Sequence, residues 1–243
     1  MREPALRGQS VVVVGGSAGI GLETARLART EGADVVLTAR DAERLRHAAA
    51  DVGAKSTAAF DAGDPAAVEG FFRDLPGPID HVLITGPGPH YRSLAEITFE
   101  EARLAVSEHL LIAFWVARHA APRIRPGGAV LFMGGTGARR PRRGLALVSA
   151  VTAAMPALTA GLALELAPVR VNLIAAGFVD TPLSASLLGD QLDARRQELR
   201  ETLPIRRVVG PTDVAALAVH LMANTAVTGA TFDVDGGQQL VGA

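Results

Sequence analysis

Cysteine is absent from the 243 residues, and there is a single lysine, a single tyrosine and a single tryptophan. Without cysteine there are no disulfides, no zinc–thiolate sites and no thiol nucleophile. A dominant charge is also lacking: a net charge of -1 and a pI near 6.6 do not give the basic surface that nucleic acid or an anionic membrane needs. Small molecules or other proteins are therefore the expected partners. The apolar run near the N-terminus, residues 11–14, stops at Gly15 and is too short for a signal-peptide core, so a cytoplasmic location is expected. No Pro/Gly/Ser linker, composition shift or repeat divides the chain, and residues 1–243 read as one domain.

Apolar material is plentiful, at 49% of residues against 20% charged, enough for a core. Short apolar runs alternate with longer helical patterns, the signature of βαβ units and a parallel sheet. Residues 11–14, 35–37, 57–60, 82–84, 130–133, 171–175 and 231–234 read as seven strands covered on both faces. Helices are expected to start near Ile20, Ala42, Pro65, Thr98, Gly144 and Thr212, the first of them ending at Gly32. The fold class is thus α/β, a single-domain Rossmann-type doubly wound parallel sheet with helices on both faces.

Two stretches stand apart from that rhythm. Residues 144–164 carry no charge and are long enough for a membrane span. Their Ala-rich composition, with Ser149, Thr152, Pro156, Thr159 and Gly161, points instead to a helix buried on all sides, against another subunit or within the chain. Residues 182–203 read as an extra polar helix, either a lid over a site or a solvated surface helix.

In a doubly wound sheet, ligands bind beyond the carboxyl ends of the strands. After the first strand comes Gly15-Gly16-Ser17-Ala18-Gly19-Ile20-Gly21, then an amphipathic helix with Ile20, Leu27 and Ala28 on one face. Glycines there let the backbone approach a pyrophosphate, and the following helix points unpaired N–H groups and its positive dipole end at the anion. The spacing Gly15-xxx-Gly19-x-Gly21 resembles the cofactor loop of the short-chain dehydrogenases/reductases, and the resemblance covers nearly the whole chain. Asp61 is similar to that family's adenine-contacting aspartate. Val171-Asn172 followed by Ala176-Gly177-Phe178-Val179-Asp180-Thr181-Pro182 resembles its sixth-strand and nicotinamide-side segment, with Ala176 where the family has proline. Asp233-Val234-Asp235-Gly236-Gly237 resembles a further landmark. The resemblance implies a dinucleotide held by Gly15, Ser17, Ala18, Gly19, Ile20, Asp61, Ala62, Gly86, Thr152, Gly177, Val179 and Thr181. Where NAD-preferring relatives place an acid, this chain has Ala39. Arg40 next to it offers a planar fork of donors to a 2′-phosphate, so NADP (NADPH) is the expected cofactor.

The resemblance also implies hydride transfer between a nicotinamide and a carbonyl or alcohol, with a Tyr-xxx-Lys pair on one helix supplying the proton. Tyr91 and Lys55 cannot form that pair. Aligning Leu162-Ala163-Leu164-Glu165-Leu166 with the end of the family's fifth helix puts Val148 at the tyrosine position and Thr152 at the lysine position. The family's oxyanion-binding serine falls at Gly135, and its fourth-helix asparagine at His109. The loop Ile84-Thr85-Gly86-Pro87-Gly88-Pro89 replaces an Asn-Asn-Ala-Gly motif. One expectation is a relocated catalytic group, with Tyr91 as proton donor, His90 or His109 as shuttle and Thr136 as hydroxyl donor to the substrate. The other is that these side chains only pack. Arg139-Arg140-Pro141-Arg142-Arg143 offers a clamp for an anionic substrate or is a solvated loop.

Two functions follow: an atypical NADP-dependent oxidoreductase of a small carbonyl or alcohol, or a catalytically silent NADP(H)-binding module or subunit. A non-redox enzyme reusing the pocket is a third. A homodimer or homotetramer built through the helices starting near Thr98 and Gly144 is the expected assembly. No metal site is expected.

Overall fold

The computed structural model describes residues 3–89, 91–139 and 142–241. Its strands are β1 (Ser10–Val14), β2 (Asp34–Ala39), β3 (Ser56–Ala59), β4 (Ile79–Ile84), β5 (Ile124–Gly135), β6 (Arg170–Ala176) and β7 (Thr231–Val234). They form one parallel sheet in the order β3-β2-β1-β4-β5-β6-β7. The order reverses between β1 and β4, and this opens a crevice at their carboxyl ends. The helices are α1 (Gly19–Thr30), α2 (Ala42–Val52), α3 (Pro65–Asp74), α4 (Phe99–Val106), α5 (Ile112–Ala120), α6 (Ala146–Glu165), α7 (Pro182–Leu188), α8 (Leu192–Thr202) and α9 (Pro211–Ala223).

Alternation along the strands divides the core in two. Val11 and Val13 face α1, α2 and α9, whereas Val12 and Val14 face α3, α5 and α6, so the sheet is covered on both faces as doubly wound folds require. Local chemistry sets the helix ends. Gly32, at φ +88°, follows the last turn of α1, and Asp41, Asp64 and Thr98 accept backbone N–H groups at the starts of α2, α3 and α4.

Three expectations need correction. The edge strand β3 is not covered on both faces: Ser56, Thr57 and Ala59 are exposed, because an edge strand has no neighbour on its outer side. Helix α6 is not buried on all sides within the chain. Although long and apolar enough to cross a membrane by length and composition, only 28% of its apolar window is buried, and Leu164 is 82% exposed. Ser149, Met155, Thr159 and Leu162 turn inward and the opposite face is left open. Finally, residues 182–203 hold two helices joined by a 3-10 turn, Gly189–Gln191, and the first, α7, is apolar outward through Leu183 and Leu187.

A row across the sheet, His81 on β4, Ala129 on β5 and Arg170 on β6, places two basic groups either side of a small residue. His81 is 3% exposed, and its Nε2 lies 2.6 Å from the Gln9 Oε1 acceptor, which assigns the proton to Nε2. Burial, reinforced by the Arg170 charge and opposed by Asp80, lowers its pKa from 6.5 to about 4. The imidazole is therefore neutral in the fold, while the unfolded chain takes up its proton below pH 6.5. The stability it preserves is complete above pH 6.5 and is lost as pH falls toward 4. At about 1.4 kcal/mol per pH unit this amounts to about 3 kcal/mol. Urea unfolding from pH 7 to pH 4 is expected to reveal that loss, and His81→Gln is expected to flatten the dependence.

Candidate functional site

The crevice collects the glycine loop after β1, Arg40 after β2, the loop after β4 and the segment after β6. Gly15 (φ +90°) and Gly19 (φ +54°) have left-handed backbones. A Cβ on Gly15 would stand 2.1 Å from Thr85 Oγ1 and 2.8 Å from the Thr85 carbonyl, and one on Gly21 would stand 2.3 Å from the Gly15 carbonyl. Loop, α1 and the end of β4 are therefore in backbone contact. Thr85 stitches them: its N–H donates to the Val14 carbonyl at 2.9 Å, and its hydroxyl is shared between the Val14 and Gly15 carbonyls at 2.9 and 3.2 Å.

Ala18 provides no side-chain cap for α1, and the first turn of that helix holds no acid. Its opening N–H groups thus lack the side-chain acceptor that Asp41, Asp64, Thr98 and Thr181 give other helices. A cradle that a Cβ would fill, beside an uncapped positive helix end, fits a pyrophosphate. Arg40 is exposed and makes no ion pair among the described residues. Asp61, also exposed, accepts the Gly63 N–H at 2.8 Å, with Ala62 packed on the second core.

Across the crevice, Thr181 lies 3.5 Å from the point where a Gly19 Cβ would be, so the segment after β6 meets the glycine loop. Val179 bridges to Val209. A Cβ on Gly177 would stand 2.7 Å from the Asp235 Cβ, and buried Asp235 accepts the Gly237 and Gln239 N–H groups at 2.8 and 3.0 Å. The Asp235-Gly236-Gly237 landmark thus closes the chain end against this segment.

Toward β5, Gly135 adjoins Thr152, whose Cγ2 would meet a Gly135 Cβ at 3.5 Å. The Thr152 hydroxyl donates to the Val148 carbonyl, and the Ser149 hydroxyl donates to the Gly137 carbonyl at 3.3 Å. Thr136 opens a 3-10 turn, Thr136–Arg139. His109 sits in a π-helical segment, Ser107–Leu111, between α4 and α5. Its Nδ1 lies 3.0 Å from the Ala105 carbonyl. A carbonyl only accepts, so Nδ1 carries the proton and a neutral ring presents Nε2 as an acceptor. The Glu108 carbonyl of that segment lies 3.9 Å from the position of a Gly86 Cβ, so the π turn faces the loop after β4.

Lys55 Nζ donates to Asp34 at 2.6 Å, at the amino end of β2 and thus at the opposite end of the sheet from the crevice. Tyr91 is 53% exposed. Burial of part of the ring holds its phenol above its ordinary pKa, and the Arg195 charge on α8 opposes the shift. Of the arginine cluster, Arg139 is tied to Asp233 and to Gln239 Oε1 at 2.8 Å, while Arg142 and Arg143 are exposed. His90, Arg140 and Pro141 lie outside the described residues. A cleft of about 500 Å³ lined by Phe72, Arg118, His119 and Arg123 opens beside the amino end of β5, away from all these groups.

Sequence reasoning missed Thr85 and the fork between Asp180 and Arg196, whose Nε and Nη2 donate to the two carboxylate oxygens at 2.9 and 2.8 Å. A threonine at a strand end and consecutive arginines in a polar stretch were the available signals.

A family model described as enoyl-(acyl carrier protein) reductase matches residues 14–239. The short-chain dehydrogenase/reductase ATR9 of Stachybotrys chlorohalonatus is 28% identical, over 96% of this chain and 98% of that protein. The NADP-dependent (R)-specific alcohol dehydrogenase of Lentilactobacillus kefiri is 30% identical, over 96% and 97%. A solved small-chain dehydrogenase in complex with NADPH superposes with a TM-score of 0.82 at 28% identity, covering 96% of this chain and 99% of that one.

Proposed function

We propose that this chain, which belongs to the short-chain dehydrogenase/reductase family of nucleotide-binding oxidoreductases, binds NADP(H) in the crevice and acts on a small carbonyl or alcohol without the family's Tyr-xxx-Lys pair. The observation that carries this reading is the cradle formed by Gly15, Gly19 and Gly21 at the uncapped start of α1. Ser17, Ala18 and Ile20 complete the pyrophosphate side, Asp61, Ala62 and Gly86 the adenine side and strand ends, and Thr152, Gly177, Val179 and Thr181 the nicotinamide side.

Ala39 followed by Arg40 favours the 2′-phosphate, and the NADP-dependent relative and the NADPH-bound structure support the same choice. Arg40→Ala is expected to weaken NADPH about 10-fold, the loss of one charge-assisted fork, and to leave NADH within about twofold. Equal losses for both nucleotides in a fluorescence titration would remove the argument for NADP.

The bound cofactor supplies or accepts hydride, and the chain must manage the proton. Gly135 and Val148 bring no hydroxyl, and Thr152 spends its own on a backbone carbonyl. Tyr91, His109 or water then remain, and Tyr91, with its raised pKa, is a weaker acid than an ordinary phenol. Loss of a positioned acid costs about 10²- to 10⁴-fold in rate, so slow turnover is expected, and Tyr91→Phe tests whether this phenol carries it.

The same occupied hydroxyl favours a second reading, a silent NADP(H)-binding module. Substrate-dependent NADPH oxidation across a panel of aldehydes and ketones supports the enzyme, and tight binding without turnover supports the module. Arg142 and Arg143 remain available to an anionic substrate. Exposed Leu111, Phe114 and Leu164 support a homodimer or homotetramer through α4, α5 and α6, and the proposed location is the cytoplasm.

A further inference from the structure

We infer that Arg196 is a positioning residue for the dinucleotide site, an inference that rests on the cofactor reading above. The Asp180–Thr181 turn leaves β6 with its backbone already held on one side: Val179 bridges to Val209, and the Asp180 N–H donates to the Val209 carbonyl at 2.9 Å. The other side is held from α8. Arg196 meets both oxygens of Asp180, and its Nη1 reaches Asp193 at 2.9 Å. A planar fork on both carboxylate oxygens fixes direction as well as distance, which a single contact does not.

From this anchor the chain reaches the site in two steps. Thr181, the next residue, sets its Cβ and methyl 3.5 Å from the place of a Gly19 Cβ at the start of α1. Two residues on, Leu183 lies 2.7 Å from the place of a Gly88 Cβ, so α7 runs from the glycine loop to the loop after β4. Arg195, beside Arg196 on α8, pairs with Glu198 at 2.7 Å, and its charge acts on Tyr91 in that same loop. Of the two neighbouring arginines, Arg196 thus ties α8 to the segment after β6, by a two-point contact with Asp180.

Both members of that pair are about one-third exposed, at 30% and 31%, so water competes for the contact. Wherever the pair is open, the Asp180 carboxylate is released and the turn that carries Thr181 loosens, while buried Leu199 keeps α8 on the core. Apparent cofactor affinity falls in proportion to the closed fraction, while the sheet and its core, which Arg196 does not touch, keep their stability.

The test uses the full chain with NADPH as the probe. Arg196→Gln is expected to raise the NADPH Kd about fivefold, to speed chymotrypsin cleavage within residues 182–203, and to leave the thermal midpoint unchanged. The swap D180R with R196D is expected to restore affinity to near the wild-type value. Wild-type affinity in Arg196→Gln would overturn the inference. So would a fall in thermal midpoint with cleavage spread over the whole chain, which marks a merely structural role, or a swapped protein that folds and still binds weakly. If the swap does not fold, the Arg196→Gln result decides alone. Failure of the wild-type chain to bind NADPH would instead overturn the cofactor reading itself.

Discussion

Gly15→Ala is expected to raise the NADPH Kd at least about 30-fold in a fluorescence titration. Two costs combine. At φ +90° an alanine is held in a conformation that L side chains rarely adopt, at about 1–2 kcal/mol. Its methyl would also stand 2.1 Å from Thr85 Oγ1 and 2.8 Å from the Thr85 carbonyl. The side chain of Thr85 can turn away, but the carbonyl belongs to the backbone at the end of β4 and cannot. The loop must therefore move off the strand end, and the N–H groups of the cradle move with it. Overpacking of this kind costs about 1–3 kcal/mol more, and the combined penalty falls on the atoms that would face the pyrophosphate. Gly70→Ala, a helical glycine on α3 with only the end of the Arg73 side chain nearby, is the control and should bind as the wild type does. Tight NADPH binding by Gly15→Ala would mean that the nucleotide lies elsewhere.

The largest effect on stability is expected at Arg170. Arg170 is 5% exposed and, among the described residues, has no carboxylate partner. Instead it donates to the carbonyls of Gly127 (3.0 Å), Leu221 (2.7 Å), Met222 (2.7 Å), Asn224 (3.0 Å) and Val227 (3.3 Å). Three of these belong to the last turn of α9 or its cap, where the orphan carbonyls and the negative end of the helix dipole favour a cation. Arg170→Met keeps the apolar stem but takes this donor from the Gly127, Leu221, Met222 and Asn224 carbonyls, two of those bonds being fully buried, while the Val227 carbonyl keeps the Asn172 Nδ2 donor at 2.9 Å. The expected loss is about 4 kcal/mol, or about 10 °C in thermal midpoint for a chain of this size. Arg170→Lys, with one compact charge in place of the fork, should lose about half as much. Because Arg170 starts β6, at the end of the sheet away from the crevice, NADPH affinity of the folded protein should not change. The removed charge also contributes to holding His81 neutral, so Arg170→Met should shift the acid unfolding of the protein as well. A midpoint within about 3 °C of wild type would contradict this role.

These sites differ in how much of them the sequence carries. All seven strands overlap short runs that can be read locally in the sequence, and β7 spans the expected residues 231–234. The glycine loop is legible for the same reason: strand, glycines and helix lie within one short stretch of chain. Arg170 and His81 are not legible. Arg170 reads as an ordinary residue ahead of the apolar run at 171–175, and its partners lie more than forty residues away on either side. Thr85 reaches Gly15 across seventy residues, and no periodicity encodes such a contact. In α6 and α7 burial within the chain does not follow composition. In α6, inward-facing Ser149 and Thr159 and outward-facing Leu164 reverse the usual rule, and in α7 a polar average over residues 182–203 conceals Leu183 and Leu187.

Titration of the wild-type chain with NADPH and with NADH under the same conditions, followed by cofactor fluorescence, shows whether the crevice holds a dinucleotide. Saturable binding of NADPH, tighter than that of NADH, is the expected result. Absence of binding by either nucleotide would contradict the reading of the crevice as a dinucleotide site.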